Sequence, residues 1–460
     1  MDIKQLFLKK ENVLEKADEA YKAAMFAYAE SYKTFLDNAK IEREAVATSI
    51  EMAKKEGFSE YTIGDKIEVG GKYYYNNRNK SLFLFKVGKG DIEKLGMRIL
   101  AAHIDSPRLD LKQNPLYEDS QMCFLKTHYY GGIKKYQWTA IPLALHGTVI
   151  LKDGSSVSVC IGEDENDPVF YINDLLPHLG ADQSAKPLGS AIPGESLNLL
   201  VGGVPYVAEG EEKDKIKTNI LVLLNEKYGM TEEDFLTAEL TAVPAFKAKD
   251  VGLDRVFVGA YGHDDRVCAY PEMTALFESK DEMNTSIVVL ADKEETGSEG
   301  NTGMQCDLIL DLINEICAAL NANPAKVRAA SKCLSADVCA AYDPNFPEVY
   351  ERRNSAFVSF GTAVMKFTGA RGKSGTSDAN AEFIAWVRRI FDANGIAWQT
   401  CELGKVDQGG GGTVAKYIAG HNIDTVDVGV PVISMHAPYE VISKVDLYET
   451  HRAFVTFINA

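Results

Sequence analysis

Four short apolar runs in this chain each give way abruptly to an acid or a histidine: "ILAAHIDSP" at 99–107, "IVVLADKEE" at 287–295, "CLSADV" at 333–338 and "VISMHAP" at 432–438. Near-continuous apolar runs of this length suit strands buried on both faces, because successive side chains point to opposite layers. Helical spacing follows or separates them, through 270–279, 307–321 and 378–394, so strands and helices alternate. The expected fold is α/β with a mixed sheet. In open α/β sheets ligands bind outside the carboxyl ends of the strands, so the residues that close separate strands can be aimed at one point.

Other segments set the domain plan. Residues 3–56 carry Leu, Ala, Tyr and Phe at helical spacing among Lys and Glu, broken near Asp37-Asn38, which predicts two amphipathic helices ending at Gly57. "SLFLFKVG" from residue 81 and "MRILAAHID" read as core strands. The texture then changes: "HGTVILKDGSSVSVCIGED" alternates apolar and polar residues about Asp153-Gly154, a hairpin signal, and further short β runs follow. Residues 114–243 are therefore expected to form a β-rich insert, enclosed by the two halves, 1–113 and 244–460, of one α/β domain. "GGGG" at 409–412 is too short for a linker and precedes an expected helix.

Composition excludes several classes. With 460 residues, 46% of them hydrophobic, the chain can bury a sizeable core. No apolar run approaches the ~20 residues needed to span a bilayer, and the charged start, "MDIKQLFLKKENVLEKADEAYK", lacks the apolar stretch of a signal peptide, so a cytoplasmic protein is expected. The net charge of −17 disfavours nucleic acid and anionic membranes as partners. Eight cysteines lie scattered without a CxxC pair and read as reduced thiols.

The strand ends supply His103 and Asp105, Glu294 and Glu295, Asp337, and His436; "YGHDDRV" adds Asp264 and Asp265 just before a helix. A lone glutamate pair is ordinarily a solvated loop charge, and a lone strand-end histidine an ordinary hydrogen-bonded group. Together, two imidazoles and several carboxylates without cysteine form a ligand set for two divalent ions such as Zn²⁺, Mn²⁺ or Co²⁺. Ions ~3.5 to 4 Å apart need a bridging carboxylate, and an adjacent glutamate outside the coordination sphere can take a proton from water. Asp105, on the same strand face as His103, can receive the ring's other N–H, or else cap the "SPRL" turn. His128, His146, His421 and His451 have no such company and read as structural or surface groups.

"AAHIDSPRLDLK", "YYGGI", "INDLLPHLG", "HDDRVCAYPEMTAL", "DKEETGS", "SADVCAAYDPNFPE", "VMK" and "TVDVGVPVISMH" occur in this order along the chain. As an ordered set they resemble the M18 metalloaminopeptidases, the aspartyl aminopeptidase family, over nearly its whole length. The resemblance implies a catalytic α/β domain with a two-metal centre and a β-rich dimerisation insert, in a homo-oligomer built from dimers and extending to a dodecamer. It implies that His103, Asp264 and Asp337 hold one ion and Asp264, Glu295 and His436 the other, with Asp264 as the bridge in preference to Asp265. It makes Glu294 the general base and Asp105 the residue that orients His103. Lys366 would face an acidic substrate side chain, and His178 would reach a neighbouring subunit's active site. The expected substrates are peptides with N-terminal Asp or Glu, and the expected cofactors two divalent ions, zinc before manganese or cobalt.

The chain departs from the family pattern near the substrate side. "DPNFPEVYERRN" and the serine that follows it place Asp343 and Ser355 where histidines are usual, and "GKSGTSDAN" replaces a "RYATN"-like stretch. Two rival readings follow. One is a broad or neutral-specificity peptidase resembling the M42 aminopeptidases, which share the Asp-Asp-Arg stretch; the other is a catalytically silent oligomeric scaffold.

Overall fold

The computed structural model describes residues 3–8, 10–207 and 213–460. The chain divides into two compact units, one of Met1–Asp105, Ala248–Met435 and Glu440–Ala460, the other of Ser106–Lys247 with His436–Tyr439.

Among the described residues the first unit holds a nine-stranded and a five-stranded sheet. At the heart of the larger are four parallel strands, Thr285–Ala291, Met97–His103, Lys332–Ser335 and Asp424–Gly429, adjacent in that order. Ser81–Lys86 and Thr362–Met365 flank them antiparallel. Every residue of Met97–His103 and of Thr285–Ala291 is buried. Leu100, Ala102, Val288 and Leu290 share a core with Tyr32, Phe35, Leu276 and Phe454, contributed by helices Glu19–Asp37, His263–Glu278 and Lys444–Ile458. Ile99, Ala101, Ile287 and Val289 belong to a second core with Leu312, Ile316 and Val327, from helices Leu308–Ala319 and Pro324–Ala330. Coverage of both faces is why these strands read as apolar runs instead of alternating with polar residues. The expected α/β class with a mixed sheet is the one observed.

The N-terminal reading needs correction. Two helices are present, Glu19–Asp37 and Glu42–Lys55, but the first starts well after residue 3, behind short 3₁₀ turns at Ile3–Leu6 and Val13–Glu15. The Asn12 side chain accepts the Leu14 N–H and that of Asp18 accepts the Tyr21 N–H. Each ties up local backbone and starts a new element where periodicity suggested continuity.

The second unit is a seven-stranded sheet of antiparallel pairs. The Asp153-Gly154 hairpin joins Leu143–Ile150 to Ser156–Ile161, with Gly154 at φ 86° and Asp153 accepting the Ser155 N–H. A helix not anticipated in this β-rich stretch, Lys215–Tyr228, repeats Ile216, Ile220 and Leu224 every four residues and ends on left-handed Gly229. Among the described residues no helix is long and apolar enough to cross a membrane.

Candidate metal centre and active site

Parallel pairing determines where the chain leaves the large sheet. Ala291 lies opposite His103, and Ser335 opposite Ala101, so three strands finish at the same edge. The residues just beyond them are Ile104-Asp105, Asp292 to Glu295, and Ala336-Asp337, whose Ala336 N–H donates to the Ala101 carbonyl at 2.7 Å. Asp264 comes from the smaller sheet: Phe257–Ala260 leads through Gly262, at φ 75°, into helix His263–Glu278, and Asp264 and Asp265 at its start depart from helical torsions.

One atom each of His103, Asp264 and Asp337 lie within 4.8 Å of one another, and all three residues are buried. His103 Nε2 is 3.1 Å from Asp264 Oδ1, 3.9 Å from Asp337 Oδ1 and 4.0 Å from Glu294 Oε2. On its other side, His103 Nδ1 is 3.0 Å from the Asp105 carbonyl oxygen and 3.3 Å from its Oδ1. Protonation at Nδ1 satisfies that side, so on the neutral ring a cation taking the place of the Nε2 proton would meet both the Nε2 lone pair and the carboxylates. Burial is the largest influence on the His103 pKa and lowers it, yet hydrogen bonds and charges of Asp105, Asp264 and Asp337 outweigh it and hold it well above the usual imidazole value. Asp337 is pushed well above the ordinary carboxylate range by burial and then by Asp265, Glu294 and Asp264.

Glu294 and Glu295 belong to a 3₁₀ turn, Glu294–Thr296, entered through left-handed Lys293, and so lie beyond the strand rather than at its end. Asp105 holds this turn. Its Oδ1 accepts the Glu294 N–H at 3.1 Å and its Oδ2 the Glu295 N–H at 3.2 Å. One carboxylate therefore ties the histidine-bearing strand to the glutamate pair, in addition to facing the ring. Replacing Asp105 with Asn turns one accepting oxygen into an NH₂ group facing a backbone N–H. The expected result is a roughly 10- to 100-fold loss of zinc affinity, read by metal titration; unchanged affinity would show that the turn holds without the second acceptor.

The remaining predicted residues are placed by their own segments. His436, at φ 63°, belongs to the second unit, its Nδ1 2.8 Å from the Gly132 carbonyl oxygen. His178 is exposed in the 3₁₀ turn Pro177–Leu179 of that unit. Lys366, just past strand Thr362–Met365, forms an ion pair with Asp378. Asp265 is fully buried and its carboxyl is held well above the usual range, by burial first and by Asp264. Ser355 is buried and donates to the Glu351 carbonyl, while Asp343 accepts the Asn345 N–H. Among the histidines read as structural, His146 is 3.0 Å from Glu163 and His451 2.9 Å from Glu278.

Glu440 escaped the sequence reading. It is buried on strand Glu440–Ser443, and its Oε2 accepts the Asp264 N–H at 3.0 Å, anchoring the backbone of that residue. The available signal was an acid inside the apolar "YEVIS" segment, which a core strand tolerates only with a hydrogen-bonding partner.

The donors fit a divalent ion. A buried imidazole nitrogen and carboxylate oxygens converge where like charges raise one another's pKa values, and a dication removes that repulsion. Nitrogen and oxygen ligands without thiolate suit zinc, manganese or cobalt.

The wider comparison agrees with this chemistry. Residues 35–458 match the family described as aminopeptidase I zinc metalloprotease (M18). A Clostridium acetobutylicum protein named "Probable M18 family aminopeptidase 1" is 49% identical over 456 residues, 97% of this chain and 98% of its own. The crystal structure of aminopeptidase I from the same organism matches with a TM-score of 0.93 at 46% identity, over 99% of this chain and 100% of that one. That of an M18 family aminopeptidase from Thermotoga maritima gives a TM-score of 0.93 at 41% identity, over 98% and 99%. With sequence, fold and a buried histidine-carboxylate cluster in agreement, this chain belongs to the M18 family of zinc aminopeptidases, hydrolases that act on peptides.

Proposed function

We propose that this aminopeptidase removes N-terminal Asp and Glu in preference to other residues, using two divalent ions, zinc before manganese or cobalt. His103, Asp264 and Asp337 would hold one ion, and Asp264, Glu295 and His436 the other. Ions bound there would supply Lewis acidity for the scissile carbonyl, the free α-amino group and the attacking water. Glu294 takes the proton from that water and later delivers it to the leaving amine. Asp105 orients His103 and the glutamate turn, and Lys366 meets the acidic side chain of the substrate. The enzyme works in the cytoplasm as a homo-oligomer built from dimers through the β-rich insert, 114–243, and extending to a dodecamer, with His178 reaching a neighbouring subunit's site.

The observation that carries this reading is the convergence of His103, Asp264 and Asp337 within 4.8 Å. Glu294 lies 4.0 Å from His103, its N–H held by Asp105. Hydrolysis of Asp-, Glu-, Leu- and Lys-4-nitroanilides, before and after chelation and zinc return, tests it. Acidic substrates are expected to turn over fastest, and activity to vanish and recover with the metal. A clear preference for Leu over both acids would replace the acidic reading with a broad-specificity one, and activity that survives full metal removal would reject the mechanism.

A further inference from the structure

The segment after strand Thr362–Met365 folds back as a hairpin. The Ala379 N–H donates to the Lys366 carbonyl at 2.8 Å, the Thr368 N–H donates to Thr376 Oγ1 at 2.7 Å, and Ala370 and Ser374 exchange backbone hydrogen bonds at 3.2 and 3.0 Å. This register lays Asp378 beside Lys366, and the two side chains pair. The second oxygen of Asp378 takes Lys373 Nζ at 2.8 Å, and that ammonium also lies 3.8 Å from the centre of the Phe367 ring. Two lysines thus share one carboxylate, so the cluster keeps a net positive charge, but Lys366 already has an anion against it. The carboxylate comes from "GKSGTSDAN", one of the two stretches read from the sequence as departing from the family pattern.

All three side chains remain 40 to 48% exposed. An ion pair so open to water is weak and exchangeable. An incoming carboxylate can therefore displace Asp378 from Lys366, yet it must compete to do so.

We propose that Asp378 is a specificity-setting counter-ion, an internal carboxylate that occupies Lys366 and competes with the acidic side chain of the substrate. This inference rests on Lys366 facing the substrate side chain. The discrimination between acidic and neutral N-terminal residues is then set by carboxylate exchange at one lysine, and it is narrower than Lys366 alone would produce. Lys373 contributes by holding Asp378 in place and by staying behind as a second cation when the exchange occurs.

The test is the ratio of kcat/KM for Glu-4-nitroanilide to that for Leu-4-nitroanilide, in the zinc-loaded wild type and in the Asp378→Asn and Lys366→Met variants. Asp378→Asn is expected to raise the ratio roughly three- to tenfold, the scale of one exposed charge, and the gain is expected to shrink in 0.5 M salt. Lys366→Met is expected to lower it by about the same factor. If Lys366→Met lowers the ratio while Asp378→Asn leaves it unchanged, acidic recognition by Lys366 stands and the counter-ion inference falls. If Lys366→Met leaves the ratio unchanged, Lys366 does not meet the side chain, and both the acidic reading and the inference fall.

Discussion

Glu294→Gln is expected to lower kcat by about 10³-fold while the protein keeps its full complement of metal. The substitution preserves shape and the backbone N–H that donates to Asp105 Oδ1, so the turn Glu294–Thr296 keeps its anchor. What disappears is the ability to accept a proton. Glu294 Oε2 lies 4.0 Å from His103 Nε2, near enough to serve water at the same centre. Metal content by mass spectrometry of the purified variant separates this effect from loss of the ions. Activity within about tenfold of wild type, at equal metal content, would remove Glu294 from the role of base.

The second large effect is expected at Asp264. On the proposed two-ion arrangement Asp264 would contribute to both sites, so Asp264→Ala is expected to lose more zinc affinity than the roughly 10- to 100-fold typical of outer partners, with activity falling below detection. The backbone of Asp264 is anchored separately, by its N–H to Glu440 at 3.0 Å, so the helix start does not depend on the deleted carboxylate. Metal-free melting temperatures are accordingly expected to stay within a few degrees of wild type, because the repulsion of Asp264 on Asp337 and Asp265 goes with the side chain. Asp265→Asn is the companion variant, since its carboxyl is also buried but reaches Cys268. Retained zinc in Asp264→Ala with loss in Asp265→Asn would transfer the ligand role within the doublet.

The local grammar of the chain carried much of the fold. Core strands such as Met97–His103 and Thr285–Ala291 advertise themselves because both faces must be apolar, and an abrupt polar residue marks where each leaves the sheet. The Asp153-Gly154 turn is legible for the same reason, being decided by neighbours. Where local hydrogen bonds by Asn12 and Asp18 compete with periodicity, the reading failed and helix 19–37 began late. The site was partly legible through its residue types at strand ends, and the roles proposed for it came through ordered family motifs.

What the sequence alone determined is the supply of candidate ligands and the α/β alternation that sends strand ends to a common edge, because both follow from nearest-neighbour chemistry. Tertiary structure decided how those side chains are held. Asp105 reaches the N–H groups of Glu294 and Glu295 across 189 and 190 residues, and Glu440 reaches that of Asp264 across 176. No periodicity records such partners, since a carboxylate's hydrogen bonds depend on what folding brings beside it. Lys366 makes the same point at shorter range: the sequence showed a lysine, and only the register of the hairpin showed that Asp378 already occupies it.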